Sequence, residues 1–404
     1  MIKDNLLDIL NFGYPLNGSP ISLGMTNTLD SEPFSYKRLR DCFLSECEKL
    51  LGGDDEVLLP LSGGLDSRLI LALLLELLPA KKIHAFTYGT EGQLDFEIPP
   101  IIAAKTGINF QRVNYSEVSI SSDIIMGDNF TLDTAPTHNI IGFNVTKAVS
   151  QKALGRLGVS SKVPVWSGFL GDRVFSGMWS DSDLSLDLAC NQFVDSYTNR
   201  GINLSGHEYQ PVSRLNDTYR GSDPCSGINW SERIELEQRQ QRVKSTLKTL
   251  KNKYKFLFLQ PDLLSFLVNT PSSIKSDGKL QKEFCLKYFP DLFSLPVTSN
   301  FGAPLRKFQF QHKLDRYKRL SASKIDLCFN TNLEKFKRKK MTTGLLEELI
   351  PGYAEVMEEG KERARLILSN NNITMDKTDM ENIFRSRTRS EVFSSIGYLV
   401  RASL

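Results

Sequence analysis

The chain has 404 residues, 40% hydrophobic and 24% charged, with a formal net charge of +3. That length allows two or three domains with ordinary buried cores, and so mild a positive balance does not by itself imply a nucleic-acid partner. No run of about 18 apolar residues is present to span a bilayer, and the start Met-Ile-Lys-Asp-Asn lacks a signal-peptide pattern, so a cytoplasmic location is the default expectation.

In chain order, residues 1–35 contain Phe12-Gly13-Tyr14-Pro15-Leu16-Asn17-Gly18-Ser19-Pro20, a turn-rich run that cannot form a long helix; the segment is expected to pack on the domain that follows. Tyr36 to Leu51 carries Leu39, Phe43 and Leu50 near helical spacing, which predicts an amphipathic helix stopped by Gly52-Gly53. Val57 to Leu61 is an apolar run of strand length, and from Ser67 onward the leucine-rich sequence predicts a buried helix. Between them lies Ser62-Gly63-Gly64-Leu65-Asp66-Ser67. His84 to Gly89 predicts a second strand, Phe96 to Thr106 a helix, and Phe110 to Tyr115 a third strand. This alternation predicts an α/β fold built on a doubly wound parallel sheet, whose ligands sit at the carboxyl ends of the strands. Tyr88 and Gly89 lie at such an end.

The Ser62 to Ser67 loop reads as an anion cradle. Two glycines allow close backbone approach, and the following helix aims free N–H groups and its positive dipole end at the loop. Ser62 and Ser67 add hydroxyls. Asp66 would repel a phosphate unless a divalent cation bridged them, so the loop predicts nucleotide phosphate with magnesium. The kinase-like spacing Gly-x-x-x-x-Gly-Lys-Ser/Thr is absent.

Thr134 to Gly155 predicts a loop and then a helix, leading to a strand at Val163 and the run Ser167-Gly168-Phe169-Leu170-Gly171-Asp172-Arg173-Val174-Phe175-Ser176-Gly177. Residues 178–235 are polar and read as a loop-rich excursion, and Arg233 to Leu250 as a charged helix. Arg306 to Lys340 is basic with Phe308, Phe310 and Tyr317 interleaved, which reads first as a solvated helical face. Nucleic acid or an acidic glycan is the other occupant such a surface suits. The six cysteines show no Cys-x-x-Cys spacing, and His84, His138, His207 and His312 show no metal-ligand spacing. His138 is expected in the loop before the fourth strand, as a structural histidine or one facing a substrate pocket.

The Ser-Gly-Gly-x-Asp-Ser form resembles the pyrophosphatase loop of enzymes that split ATP into AMP and pyrophosphate. With Leu65 before the aspartate and Arg68 after Ser67, it is most similar to the asparagine synthetase family. The second segment aligns without a gap to that family's Ser-Gly-Glu-Gly-Ser-Asp-Glu-hydrophobic-Phe-Gly-Gly, keeping Ser167, Gly168, Asp172, Phe175 and Gly177. The resemblance implies an ATP-pyrophosphatase (adenine nucleotide alpha hydrolase-like) domain over residues 36–320 and a helical cap over 321–404. It also implies an ATP site at Pro60, Leu61, Ser62, Gly63, Gly64, Leu65, Asp66, Ser67, Tyr88, Ser167 and Gly168, with Mg2+ on Asp66 and Asp172. A small-molecule, peptide or glycan carboxylate would be adenylated. Ammonia, from solution or a separate glutaminase, or an amine would then displace AMP.

Departures from the family pattern are as informative. Members that use glutamine begin with an amidohydrolase domain and an amino-terminal cysteine; here position 2 is Ile and the leading segment is far too short, so no glutamine hydrolysis is expected. Phe169 and Arg173 stand where the family has glutamates, which implies a pocket reshaped for an acceptor other than aspartate, as in relatives that make lactams or other amides. A family lysine aligns within Val297-Thr298-Ser299-Asn300-Phe301, where there is no cation; Arg306 and Lys307, a few residues on, are the expected catalytic substitutes. Two other functions stay open on the sequence: an RNA-modifying adenylating enzyme, suggested by the basic stretch, and a weakened nucleotide-binding partner subunit, suggested by the altered positions.

Overall fold

Alternate residues of the central strands enter opposite cores. Val57, Leu59, Ala85 and Trp166 face one cluster, whereas Leu58, Phe86 and Val165 face the other. A sheet buried on both faces is the consequence. The computed structural model describes residues 2–16, 33–128, 139–177, 184–197, 209–222, 228–249, 254–275, 278–305, 310, 314, 343–384 and 387–399.

Five parallel strands form the sheet: β1 (Val57–Pro60), β2 (Ile83–Gly89), β3 (Asn109–Asn114), β4 (Val165–Ser167) and β5 (Tyr254–Phe256), in the order β3-β2-β1-β4-β5. The chain lays down β2 and β3 on one side of β1, then returns to add β4 and β5 on the other. The reversal falls between β1 and β4, so the loops leaving these two strands flank the crevice where such sheets take ligands. The α/β class and the parallel sheet agree with the expectation from sequence. Strand β5 was not anticipated: three residues, Tyr-Lys-Phe, follow a charged helix and give too short a period-2 signal.

One face of the sheet carries α1 (Ile2–Phe12), the helix Ile140–Leu157 and the helices Tyr353–Asn370 and Arg387–Ile396, whose Leu6, Val149, Val356 and Phe393 share a core. The other carries α2 (Tyr36–Leu51), α3 (Asp66–Leu77) and α4 (Leu94–Thr106). Burying each such leucine or phenylalanine contributes about 1.5–3 kcal/mol. Helix α2 starts where the Ser35 hydroxyl accepts the Arg38 N–H and stops at Gly52, whose φ of +55° suits glycine. Helix α4 contains Pro99, which cannot donate to the Asp95 carbonyl one turn back; the Thr87 hydroxyl donates to it instead, at 2.8 Å.

Residues 178–235 differ from the loop-rich expectation. They include the helices Leu186–Tyr197 and Pro211–Tyr219 and the start of Trp230–Thr249. Phe193, Leu215, Tyr219 and Ile234 pack there with Phe12, Tyr14 and Leu16 in a third cluster. The apolar residues at 189, 190, 193 and 194 are helically spaced, but the polar residues around them mask the period. Among the described residues no helix is long and apolar enough to cross a membrane.

Candidate functional site

Strand β1 ends at Pro60, and the buried Leu61 extends it by donating its N–H to the Phe86 carbonyl at 2.8 Å. The chain then turns through the glycine loop. Ser62 closes it internally: its N–H donates to Ser67 Oγ at 3.1 Å, its hydroxyl lies 3.0 Å from that same oxygen, and it accepts the Gly64 N–H at 3.2 Å. Leu65 precedes α3, which opens on Asp66, one residue earlier than the sequence suggests.

Gly63 is held from two distant parts of the chain. Its N–H donates to Asp95 Oδ1 at 3.0 Å, and its carbonyl accepts the Thr298 N–H at 3.0 Å and the Arg68 guanidinium at 3.2 Å. The Thr298 hydroxyl donates to the same Asp95 oxygen at 3.0 Å. A Cβ on Gly63 would lie 2.2 Å from that hydroxyl, so only glycine permits the packing. Arg68 is fully buried. It also donates to the carbonyls of Leu292, Leu295 and Pro296 at 3.2, 3.4 and 2.6 Å, and stacks over the Phe293 ring. Burial lowers its pKa to about 10, which leaves it charged at neutral pH.

The loop after β4 crosses the start of α3. Ser167 ends the strand and its hydroxyl accepts the Phe169 N–H at 3.3 Å. A Cβ on Gly168 would lie 3.1 Å from Asp66 Cβ and from the Ser67 nitrogen, and one on Gly171 would lie 2.6 Å from Asp66 Cγ. Between these glycines Leu170, 3% exposed, adopts a φ of +65°. A left-handed leucine costs about 1–2 kcal/mol, and it stands where the family's motif has glycine. In this chain the glycine falls one place later, at the point nearest the Asp66 carboxyl.

Asp66 accepts a hydrogen bond from Gln281 Nε2 at 2.6 Å. Its pKa is raised to about 7, first by burial and further by the negative charge of Asp172; the bonds from Gln281 and the Asp172 backbone N–H oppose the rise without cancelling it. Asp172 is open to solvent, its side chain 67% exposed. One sheltered and one open carboxylate, mutually repelling, suit a hard divalent cation. No group of three or more His, Cys, Asp or Glu ligands exists among the described residues, so phosphate and water oxygens would complete the shell, as magnesium prefers.

Aromatic rings pack beside the loop after β4. Phe169 meets Phe256 edge-on at 6.3 Å, and Tyr254 stacks on Phe256 at 5.9 Å. At the end of β2 the Tyr88 ring packs on Phe86 and Tyr115. Arg306, Lys307 and His138 lie outside the described residues, as does most of the basic stretch to Lys340.

The structure thus brings Ser62 to Ser67 against Ser167 to Asp172. It also adds Asp95, Gln281 and Thr298, which the sequence did not single out. Only Thr298 had a local signal, because it stands in the segment aligned with the family lysine. The family model described as asparagine synthase matches residues 38–288, more than half of the chain. Comparison with curated proteins gives no match.

Proposed function

This chain belongs to the asparagine synthase family, whose members are ATP-dependent amide-forming ligases, and from that premise we propose that it adenylates a carboxylate, releasing pyrophosphate, and passes the acyl group to ammonia or an amine. The observation that carries the proposal is the seating of Gly168 and Gly171 against Asp66, which joins the two strand-end loops into one site.

In this reading the ATP phosphates lie on the Ser62 to Ser67 loop, where the start of α3 supplies positive dipole and N–H groups. Several of those N–H groups are held within the protein, so phosphate must exchange for Ser62 Oγ and Asp95 Oδ1 to use them. Pro60, Leu61, Tyr88, Ser167 and Gly168 line the nucleoside end. Asp66 and Asp172 are the residues to hold magnesium, which when bound draws charge from the phosphates. An acceptor carboxylate oxygen bonds to the α-phosphorus as the bond to the bridging oxygen breaks, and pyrophosphate leaves with the electron pair. The nitrogen then attacks the acyl carbon and AMP departs.

Phe169 and Phe256 give the acceptor side an apolar wall, which suits a carboxylate carried on an aromatic, peptide or glycan framework better than aspartate. We place the reaction in glycan or natural-product biosynthesis on that ground. Nitrogen would come as ammonia, free or from a separate glutaminase, or as an amine on the substrate.

The test is to incubate the chain with Mg2+, ATP and a panel of uronic acids, peptides and aromatic acids and to measure AMP and pyrophosphate. Acid-dependent release of both is expected, and ADP with phosphate would defeat the proposal. Asp66→Asn and Asp172→Asn should each lower turnover by roughly 100-fold or more. A variant that keeps full turnover removes its carboxylate from the metal set. ATP binding with no pyrophosphate release for any acid would favour a nucleotide-binding partner subunit, a reading the Thr298 substitution invites.

A further inference from the structure

The two glycines of the loop after β1 have different surroundings. A Cβ on Gly63 would meet Thr298 Oγ1 at 2.2 Å, Ile98 Cδ1 at 3.0 Å and the Leu94 carbonyl oxygen at 3.1 Å. One on Gly64 would meet only Ser62 Oγ, at 3.2 Å, among the described residues. Gly63 is packed into the protein, whereas Gly64 faces open space.

Two successive peptide planes meet at Gly63, and each is held from outside the loop. The plane before it is held by the Gly63 N–H, which donates to Asp95 Oδ1 at 3.0 Å. The plane after it is held by the Gly63 carbonyl, which accepts the Thr298 N–H at 3.0 Å and the Arg68 guanidinium at 3.2 Å. A trans peptide unit is flat, with its C=O and N–H pointing in opposite directions, and no cis bond occurs among the described residues. By drawing the Gly63 carbonyl one way, Thr298 aims the Gly64 N–H the other way, to where Ser62 Oγ accepts it at 3.2 Å.

The Thr298 hydroxyl closes the set. It donates at 3.0 Å to the same Asp95 oxygen that accepts the Gly63 N–H. Thr298 therefore holds the Gly63 carbonyl directly and the Gly63 N–H through Asp95. Asp95 itself is exposed, in the first turn of α4. Phosphate could claim the Gly63 N–H only by displacing a carboxylate that Thr298 also holds, and the displaced charge would repel it.

We propose that Asp95 and Thr298 are positioning residues that act as one brace, fixing both peptide planes at Gly63 so that the loop presents the Gly64 N–H to the phosphates of ATP and pyrophosphate. The inference rests on the nucleotide reading given above. Asp95 stays in place when phosphate binds, and Ser62 Oγ is the group that yields. In the segment aligned with the family lysine, Thr298 thus contributes geometry in place of charge.

The test is calorimetric binding of Mg2+–pyrophosphate and, separately, of AMP to the wild-type chain, Asp95→Ala, Asp95→Asn, Thr298→Val and the double variant Asp95→Ala/Thr298→Val, with thermal unfolding of each. Asp95→Ala should weaken pyrophosphate roughly 10-fold while AMP affinity stays within about twofold. Asp95→Asn keeps an oxygen that both donors can share, so binding should return to within about threefold of wild type. Thr298→Val loses the hydroxyl but keeps the N–H and should cost roughly threefold for pyrophosphate alone, and the double variant should match Asp95→Ala to within about twofold. Two independent contacts predict instead that the single losses multiply.

Tighter or unchanged pyrophosphate binding in Asp95→Ala would overturn the proposal, the first by showing that phosphate displaces the carboxylate. Equal losses of pyrophosphate and AMP, multiplied losses in the double variant, or an Asp95→Asn protein as weak as Asp95→Ala would overturn it as well. Should Asp95→Ala fail to fold, Thr298→Val decides: a loss confined to pyrophosphate upholds the brace, and no loss or an equal loss of AMP defeats it. A wild-type chain that binds neither ATP nor Mg2+–pyrophosphate would instead defeat the nucleotide reading itself, and this inference with it.

Discussion

The loop after β1 and the loop after β4 lie side by side, but they are held in place by different means. The first is fixed by hydrogen bonds: Asp95 and Thr298 reach Gly63 from afar, and Arg68 from the start of the next helix. The second is fixed by close packing, with Gly168 and Gly171 pressed on Asp66 and a buried, left-handed Leu170 between them. A loop held by directional bonds to its backbone is insensitive to most of its side chains, whereas one held by contact depends on each atom it presents. The chain's departures fall accordingly. The Ser-Gly-Gly-x-Asp-Ser pattern is intact, while the second segment differs from the family motif at 169, 170, 171, 173 and 176.

The largest effect should come from breaking the bonded loop. Arg68→Met leaves the Pro296 carbonyl without its buried donor and the Gly63 carbonyl with only the Thr298 N–H, and an expected loss of about 3–5 kcal/mol would appear as a lowered urea midpoint. A loss below about 1 kcal/mol would show that the guanidinium is dispensable.

Next is the carboxylate both loops touch. The folded-state pKa of Asp66, about 7, lies above its unfolded value near 3.8. The folded form therefore holds the proton more strongly between these values, and metal-free stability falls as pH rises from about 4 to about 7, then levels off. Asp66→Asn keeps an oxygen to accept from Gln281 and abolishes this slope, so at pH 8 without magnesium it should be more stable than wild type by about 2–4 kcal/mol. Equal stability at pH 8, with the same slope in both proteins, would refute the assignment.

The packed loop is sharpened by adding one carbon. Gly171→Ala sets a methyl 2.6 Å from Asp66 Cγ and 2.7 Å from Phe258 Cε2, so the chain should lose about 2–3 kcal/mol on denaturation and bind magnesium nucleotide more weakly. Wild-type values for both would mean that the loops separate freely. The smallest effect is expected at Leu170→Gly, where release of left-handed strain partly offsets the lost burial, for a net cost of about 1–2 kcal/mol. A cost above 4 kcal/mol would mean that strain contributes nothing at this position.

The sequence was most legible where the signal is local. Ser62 to Ser67 combines strand, glycine turn and helix within about 20 residues, and the Ser167 to Asp172 segment could be placed by its gapless resemblance to the family motif. What supports them was not legible, because Gly63 to Asp95, Asp66 to Gln281 and Gly63 to Thr298 are contacts between segments that no periodicity links. Asp95 illustrates the difficulty: in sequence it is one more acidic residue in the first turn of a helix. The left-handed turn was hidden for a different reason, since a leucine gives no hint of a positive φ. Strand β5 and the helices around Cys190 and Leu215 were masked by shortness and by polar neighbours.

The Arg68 staple also sets an order of events during synthesis. The complete Ser62 to Ser67 motif leaves the ribosome early, but the carbonyls that receive Arg68 are 224 to 228 residues further along the chain. Until Leu292 to Pro296 arrive, a guanidinium destined for full burial lacks most of its acceptors, and Gly63 lacks the Thr298 N–H. Competence to bind nucleotide is therefore expected late on the growing polypeptide, after its sheet has formed, so that a chain released unfinished carries the whole motif without its finished geometry.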